Sequence, residues 1–204
     1  MKKHLILTFI YITIGMSCSS KAQTSNTNLS LSDKNATTET KILYKNLAQF
    51  VNKGILFGHQ DDLAYGVNWK YEAGRSDVKE VTGDYPSVYG WDLAGLEKKS
   101  DKNIDGIPFD KMRQYIKEGH SRGGIITLSW HFDNPLTGKN AWDITPKSLA
   151  SALPGGESHE KFKSWLDEGV KFILTLKDKK GKPIPILYRP YHELTGTWFW
   201  WCKN

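Results

Sequence analysis

Cysteine is nearly absent: Cys18 and Cys202 are the only two in 204 residues. Cys18 lies in a segment that reads as a signal, so no disulfide framework can form within the remaining chain. Long apolar runs are missing too. The one candidate, Leu5 to Met16, is too short to span a bilayer, and no later run is long enough for a transmembrane helix. No internal repeat stands out. The formal charge of +6 falls to +3 once residues 1–22, with Lys2, Lys3 and Lys21, are set aside. A balance that mild gives no argument for nucleic acid or for charge-driven membrane attachment. There is no G-x-S-x-G elbow, which removes support for a serine esterase. His192-Glu193 begins like a zinc-protease motif, but His192-Glu-Leu-Thr-Gly196 lacks the second histidine on the same helical face. A doubly wound fold would usually carry a Gly-rich phosphate loop after its first strand. Here that place is taken by Gly58-His59-Gln60-Asp61-Asp62, whose acids repel a phosphate.

What is present begins with an export signal. Met1-Lys2-Lys3-His4 supplies a basic start, followed by the apolar run. Two endings stay open: cleavage after Ser20-Lys21-Ala22, or a lipoprotein box, Gly15-Met16-Ser17-Cys18, in which Cys18 carries lipid. Either takes the protein out of the cytoplasm, to the periplasm, the cell surface or the medium. Residues 23–40 are rich in Ser, Thr and Asn and read as a flexible tether. Residues 41–204, about 165 positions, are one domain's worth of chain.

That domain alternates strand and helix. Leu43, Leu47, Phe50 and Val51 share a helical face, which Gly54 is expected to end. Ile55–Phe57 reads as a strand and Ser76 as the cap of a short helix ended by Gly83. Ser87–Tyr89 is the second strand. Pro108 opens a helix with Phe109, Met112, Ile116 and Gly119 on one side, closed by Gly123-Gly124. Ile125–Leu128 is the third strand, and Phe162, Trp165, Leu166, Gly169 and Ile173 mark another helix before the fourth strand, Ile184–Tyr188. Apolar strands alternating with helices predict an α/β fold with a parallel sheet. Polar and aromatic residues gather after each strand, where α/β folds place their sites. A (β/α)8 TIM barrel is favoured over an open sheet, and this chain carries roughly its first four strand–helix units. A chain that stops there is expected to leave barrel-facing apolar residues uncovered.

The richest stretch follows the fourth strand: Tyr188-Arg-Pro-Tyr-His-Glu193, a turn at Thr195-Gly196-Thr197, then Trp198-Phe-Trp-Trp201. Glu193, flanked by Arg189, His192 and indoles, suits protonation of a sugar oxygen: indole faces stack on pyranoses, and apolar walls hold a carboxylic acid neutral. Its bland alternative is a rim ion pair with Arg189. His131 with Trp130 and Asn134 makes a second constellation able to bond hydroxyls, though a strand-end histidine is as often structural. Asp61, Asp62 and Asp92 read as loop caps. Four aromatics in a row cannot all face one way, so some line a cleft or are exposed.

The strand ends Phe57-Gly-His-Gln60, Tyr89-Gly-Trp-Asp92, Ser129-Trp-His-Phe-Asp-Asn-Pro135 and Arg189-Pro-Tyr-His-Glu193…Trp198-Phe-Trp-Trp201 resemble glycoside hydrolase family 26, the β-mannanases. The resemblance runs from about Ile55 to Trp201. It implies a cofactor-free, metal-free retaining hydrolase acting within β-1,4-mannan as a monomer, with no nucleic-acid partner and membrane contact only through lipid on Cys18. Glu193 would be the acid/base. His192 would bond at the cleavage subsite and help orient the nucleophile. Trp198 would be a sugar platform, His131 would contact the sugar at the bond being cut, Trp142 would line the leaving-group side, and Arg189 would support Glu193 electrostatically. One departure matters: the family's nucleophile is a second Glu later in the barrel, and no carboxylate here matches it, so these residues alone are expected to be nearly inactive. Alternatives are the same fold acting on xylan or mixed-linkage β-glucan, or a non-catalytic β-glycan-binding protein.

Overall fold

A computed structural model of the chain describes residues 31–202; the expected export signal, 1–22, and residues 23–30 of the tether lie outside them. Helix α1 (Thr38–Phe50) begins inside the stretch expected to be tether, because Thr37 caps it by accepting the Thr40 amide at 3.1 Å. The helix ends at Phe50, not at Gly54. Its apolar face is only half covered: Leu43 and Leu47 are partly buried, whereas Phe50 and Val51 are exposed.

The sheet is parallel and in chain order. β1 (Gly58–Gln60) pairs with β4 (Val88–Asp92), β4 with β5 (Ile125–Ser129), and β5 with β6 (Ile186–Arg189). Each strand lies about two or three residues later than its apolar run predicts at β1 and β6. Ile55 is 96% exposed, and Phe57 reaches the sheet through its carbonyl, which accepts the Ser87 and Val88 amides. A register of Gly58 against Val88 and Gln60 against Gly90 sets the strand, not the hydrophobicity of the residues before it. Burial on both faces holds for the middle strands only. Tyr89, Trp91, Ile126 and Leu128 are fully buried, but β1 and β6 are edges, and Leu187 and Tyr188 are exposed on β6.

The two longer helices that follow β4 and β5 form as the periodicity predicts, and the first of them covers the middle strands. α2 (Asp77–Thr82) is the short capped helix, with Ser76 accepting the Lys79 amide and Gly83 left-handed at its end. α3 (Phe109–Ser121) buries Phe109, Met112, Ile116 and Gly119, and its Tyr115 stacks on Trp91 at 5.9 Å. α4 (Ser148–Ala152) is a single turn that the sequence does not announce. α5 (His159–Leu174) buries Phe162, Trp165, Gly169 and Phe172. Gly169 is required there, because a Cβ at that position would collide with the Trp130 indole. A small antiparallel hairpin, β2 (Tyr65–Gly66) and β3 (Trp69–Lys70), also escapes the pattern; Asp77 ties it down by accepting from the Trp69 indole and the Val67 amide.

Candidate active site

The paired register puts Gln60, Asp92, Ser129 and Arg189 at the carboxyl edge of the sheet, and the loops beyond them carry the chemistry. After β6 the chain turns sharply. Tyr191 and Glu193 both have positive φ, 50° and 56°, a conformation that non-glycine residues adopt only when their surroundings impose it. The imposing contacts are visible. The Gly196 amide donates to the Glu193 carbonyl at 2.8 Å, the Cys202 thiol lies 3.4 Å from the same oxygen, and the Trp201 indole donates to the His192 carbonyl at 3.0 Å.

Of the four aromatics in the closing run, three are core. Phe199, Trp200 and Trp201 are buried, and Trp200 donates its indole N–H to the Phe132 carbonyl at 3.0 Å. Trp198 is the exception. It is 48% exposed and folds back over Gly196 to donate to Glu193 Oε2 at 2.8 Å. A side chain on Gly196 would meet that indole at 2.5 Å, so the glycine makes the approach possible.

Glu193 itself is exposed. The enclosing apolar wall expected around it is therefore not found, since the neighbouring indoles turn into the core. Arg189 also departs from expectation: it is exposed, and among the described residues no ion pair joins it to Glu193. Its charge is felt instead at His192, whose pKa is lowered by burial first, then by His131 and Arg189. A histidine with a depressed folded value contributes stability above its ordinary pKa that is lost as pH falls through the lowered one.

His131 and His192 meet. Their Nε2 atoms are 3.0 Å apart with the rings close to perpendicular, and His131 Nδ1 lies 2.8 Å from Asp92 Oδ2. Trp142, 48% exposed, lies flat against the other face of His131 at 5.3 Å, and Phe199 closes the edge at 5.2 Å. Both His131 nitrogens are thus engaged within the protein, and the hydroxyl contact expected of this residue has no free nitrogen to make it. Trp130 and Asn134 also leave the expected role. Trp130 is buried and donates to Glu97 Oε2 at 3.0 Å; the Asn134 amide is spent on the Asp143 carbonyl and Ser148 Oγ, each at 2.7 Å. Both hold loops in place. Burial of Glu97 raises its pKa, and the amide and indole donors around it offset part of that effect.

Asp92 is the residue that sequence reasoning undervalued. Besides capping Ala94 at 2.8 Å, it accepts from Ser129 Oγ at 2.7 Å, from the His131 amide at 3.2 Å and from the His131 ring. Burial alone would raise its pKa; the His131 bond and charge, with the Ala94 and Ser129 donors, bring it below the ordinary value. Only a histidine two residues past a paired strand could have signalled this.

Asp61 behaves oppositely. It is buried, has φ 57°, and its pKa is pushed up to about 7 by burial and then by the negative charge of Asp105; Tyr65 donates to it at 3.1 Å. A raised folded value means its contribution to stability is complete below about pH 4 and lost as pH rises towards 7, on the order of 4 kcal/mol for a shift of this size. Asp61→Asn fits the left-handed backbone and is expected to flatten that loss. Urea denaturation at pH 5 and pH 8 checks it: the gap between the two pH values should shrink in the variant, and an unchanged gap would assign the pH dependence elsewhere.

A parallel α/β sheet with helices on its side and its polar and aromatic cluster at the strands' carboxyl ends is the barrel-type architecture. The family profile described as Glycosyl hydrolase family 26 matches residues 32–204, and the chain belongs to that family. It is 38% identical over 188 residues to the mannan endo-1,4-beta-mannosidase of Bifidobacterium adolescentis, covering 89% of this chain and 18% of that protein. Its fold matches the family 26 β-mannanase of Bacteroides ovatus with a TM-score of 0.80 at 50% identity, over 82% of this chain and 49% of that one. A modular endo-β-1,4-mannanase from Cellulomonas fimi matches with a TM-score of 0.73 at 35% identity, over 82% and 38%. The chain spans half or less of the length of each of these three relatives.

Proposed function

We propose that the protein acts on β-1,4-mannan, cleaving bonds within the polymer by a retaining mechanism in which Glu193 is the acid/base. The supporting observation is local: Glu193 is an exposed carboxyl at the carboxyl end of β6, held by an indole donor and flanked by the buried His192, whose ring meets the partly buried His131. In the first step Glu193 gives its proton to the glycosidic oxygen, the C–O bond breaks, and a carboxylate on the opposite face of the sugar forms a glycosyl ester. In the second step Glu193, now a carboxylate, takes a proton from water as the water attacks the anomeric carbon and the bond from that carbon to the other carboxylate breaks. Trp198 and Trp142 present half-exposed indoles on which pyranose faces can stack.

The second carboxylate is not supplied by the strand-end acids. Asp92 is buried under its donors, Asp133 pairs with Lys98 at 2.7 Å, and Asp61 and Asp62 are buried. By themselves these 204 residues are therefore proposed to bind mannan and to turn it over feebly, and the burial and pairing of these acids also favour a second reading, glycan binding without catalysis. Export from a bacterial cell, with Cys18 lipidated or the signal removed, belongs to the same proposal. The experiment is a side-by-side comparison of binding and reducing-sugar release on mannan, xylan and mixed-linkage β-glucan. Preference for mannan is expected. Equal or better affinity for xylan or glucan would overturn the substrate assignment, and rapid sugar release by these residues alone would overturn the assignment of the missing carboxylate.

A further inference from the structure

Asp92, His131 and His192 form an ordered row across three strand ends: Asp92 Oδ2 to His131 Nδ1 at 2.8 Å, then His131 Nε2 to His192 Nε2 at 3.0 Å. Two imidazole nitrogens at that separation share one proton, so one ring donates and the other accepts. An ionised carboxylate accepts only. With Asp92 ionised, His131 carries its proton on Nδ1 and, when neutral, offers a bare Nε2. His192 must then be the donor, with its proton on Nε2 and a lone pair on Nδ1. That Nδ1 is buried and has no partner among the described residues.

We infer that Asp92 is a positioning residue for the candidate active site, setting the tautomers of both histidines in one direction and so fixing the ring that adjoins Glu193. The inference rests on the proposed role of Glu193 for its meaning, but not for its test. Asp92 acts through His131 and touches neither Glu193 nor the cleft surface; it is 2% exposed. Its other bonds, to the Ala94 and His131 amides and to Ser129 Oγ, lock the carboxylate so that Oδ2 stays aimed at the ring. Trp142 and Phe199 prevent His131 from turning away. Other charges bear on the pair. Asp105 faces His131, and Arg189 and Glu193 face His192, but none of the three hydrogen-bonds either ring.

Asn in place of Asp92 can turn its amide N–H₂ towards His131 Nδ1. That would strip the proton from Nδ1, move it to Nε2 and force His192 to accept, reversing the row. The test is two-bond ¹H–¹⁵N correlation on the ring-labelled protein near pH 8, with the two rings assigned through His131→Gln and His192→Gln. In the wild type, His131 should read as the Nδ1–H tautomer and His192 as Nε2–H. In Asp92→Asn each ring's two nitrogen shifts should exchange, while Ser129→Ala, which removes a donor to Asp92 but touches neither ring, should keep the wild-type pattern. A wild-type His131 protonated on Nε2 alone overturns the inference, and so does an unchanged pattern in folded Asp92→Asn. If that variant does not fold, the wild-type tautomers decide. A protein that binds no mannan yet shows these tautomers separates this inference from the proposed function.

Discussion

Glu193→Gln, introduced into a mannan-cleaving protein that carries this chain, is expected to lower kcat on mannan by about 10²–10⁴-fold and to leave mannan binding nearly unchanged. The amide has the shape of the carboxylic acid but cannot release a proton to the departing sugar. It also keeps the local structure. Trp198 can still donate to the Gln carbonyl oxygen in place of Oε2, and the left-handed turn is held by the Gly196 and Trp201 bonds to backbone carbonyls, which the substitution does not touch. Affinity should therefore track the indoles and turnover the acid. Steady-state kinetics together with calorimetric titration of a manno-oligosaccharide separates the two. Parallel losses in binding and turnover would mean that Glu193 shapes the cleft and transfers no proton.

Trp200→Ala is expected to destabilise the protein by about 3–5 kcal/mol, the range for removing a large buried aromatic. Trp200 is 1% exposed, packs edge-on against Phe162 at 5.7 Å and Trp201 at 5.5 Å, and satisfies the Phe132 carbonyl. Its loss leaves both a cavity and an unpaired buried acceptor. The backbone bond from Trp200 to the Ala141 carbonyl would survive, but the loop it anchors carries Trp142, the indole against His131. Urea denaturation should show the lower midpoint. A loss below about 1 kcal/mol would show that the closing aromatic run is not part of the core.

How much of this was legible follows from range. α3 and α5 could be read because their apolar spacing is local, as is the glycine pair that closes α3, and the parallel order of β4, β5 and β6 followed from their alternation with helices. The ends of β1 and β6 could not, because pairing register sets them and the sequence shows only hydrophobicity. Glu193 and Trp198 stood out by type and neighbourhood, yet their bond depends on a left-handed turn at two non-glycine residues, which no residue type announces. Trp130 and Asn134 looked like cleft residues from their place beside His131. Alternation of strand faces and a loop closed on Asp143 and Ser148 turned them inward. Asp92 looked like a loop cap because its ring partner is 39 positions away.

The most direct measurement is a pre-steady-state comparison of Glu193→Gln and wild type, in a mannan-cleaving protein carrying this chain, on mannan and on an aryl mannobioside with a dinitrophenolate leaving group. Dinitrophenolate departs without a proton, so its first step should be spared. The account predicts a rapid one-equivalent burst of dinitrophenolate followed by slow turnover, because the ester then waits for a base, while mannan cleavage collapses. Mannan and the aryl glycoside slowed to the same degree in the first step, or mannan not slowed at all, would contradict it.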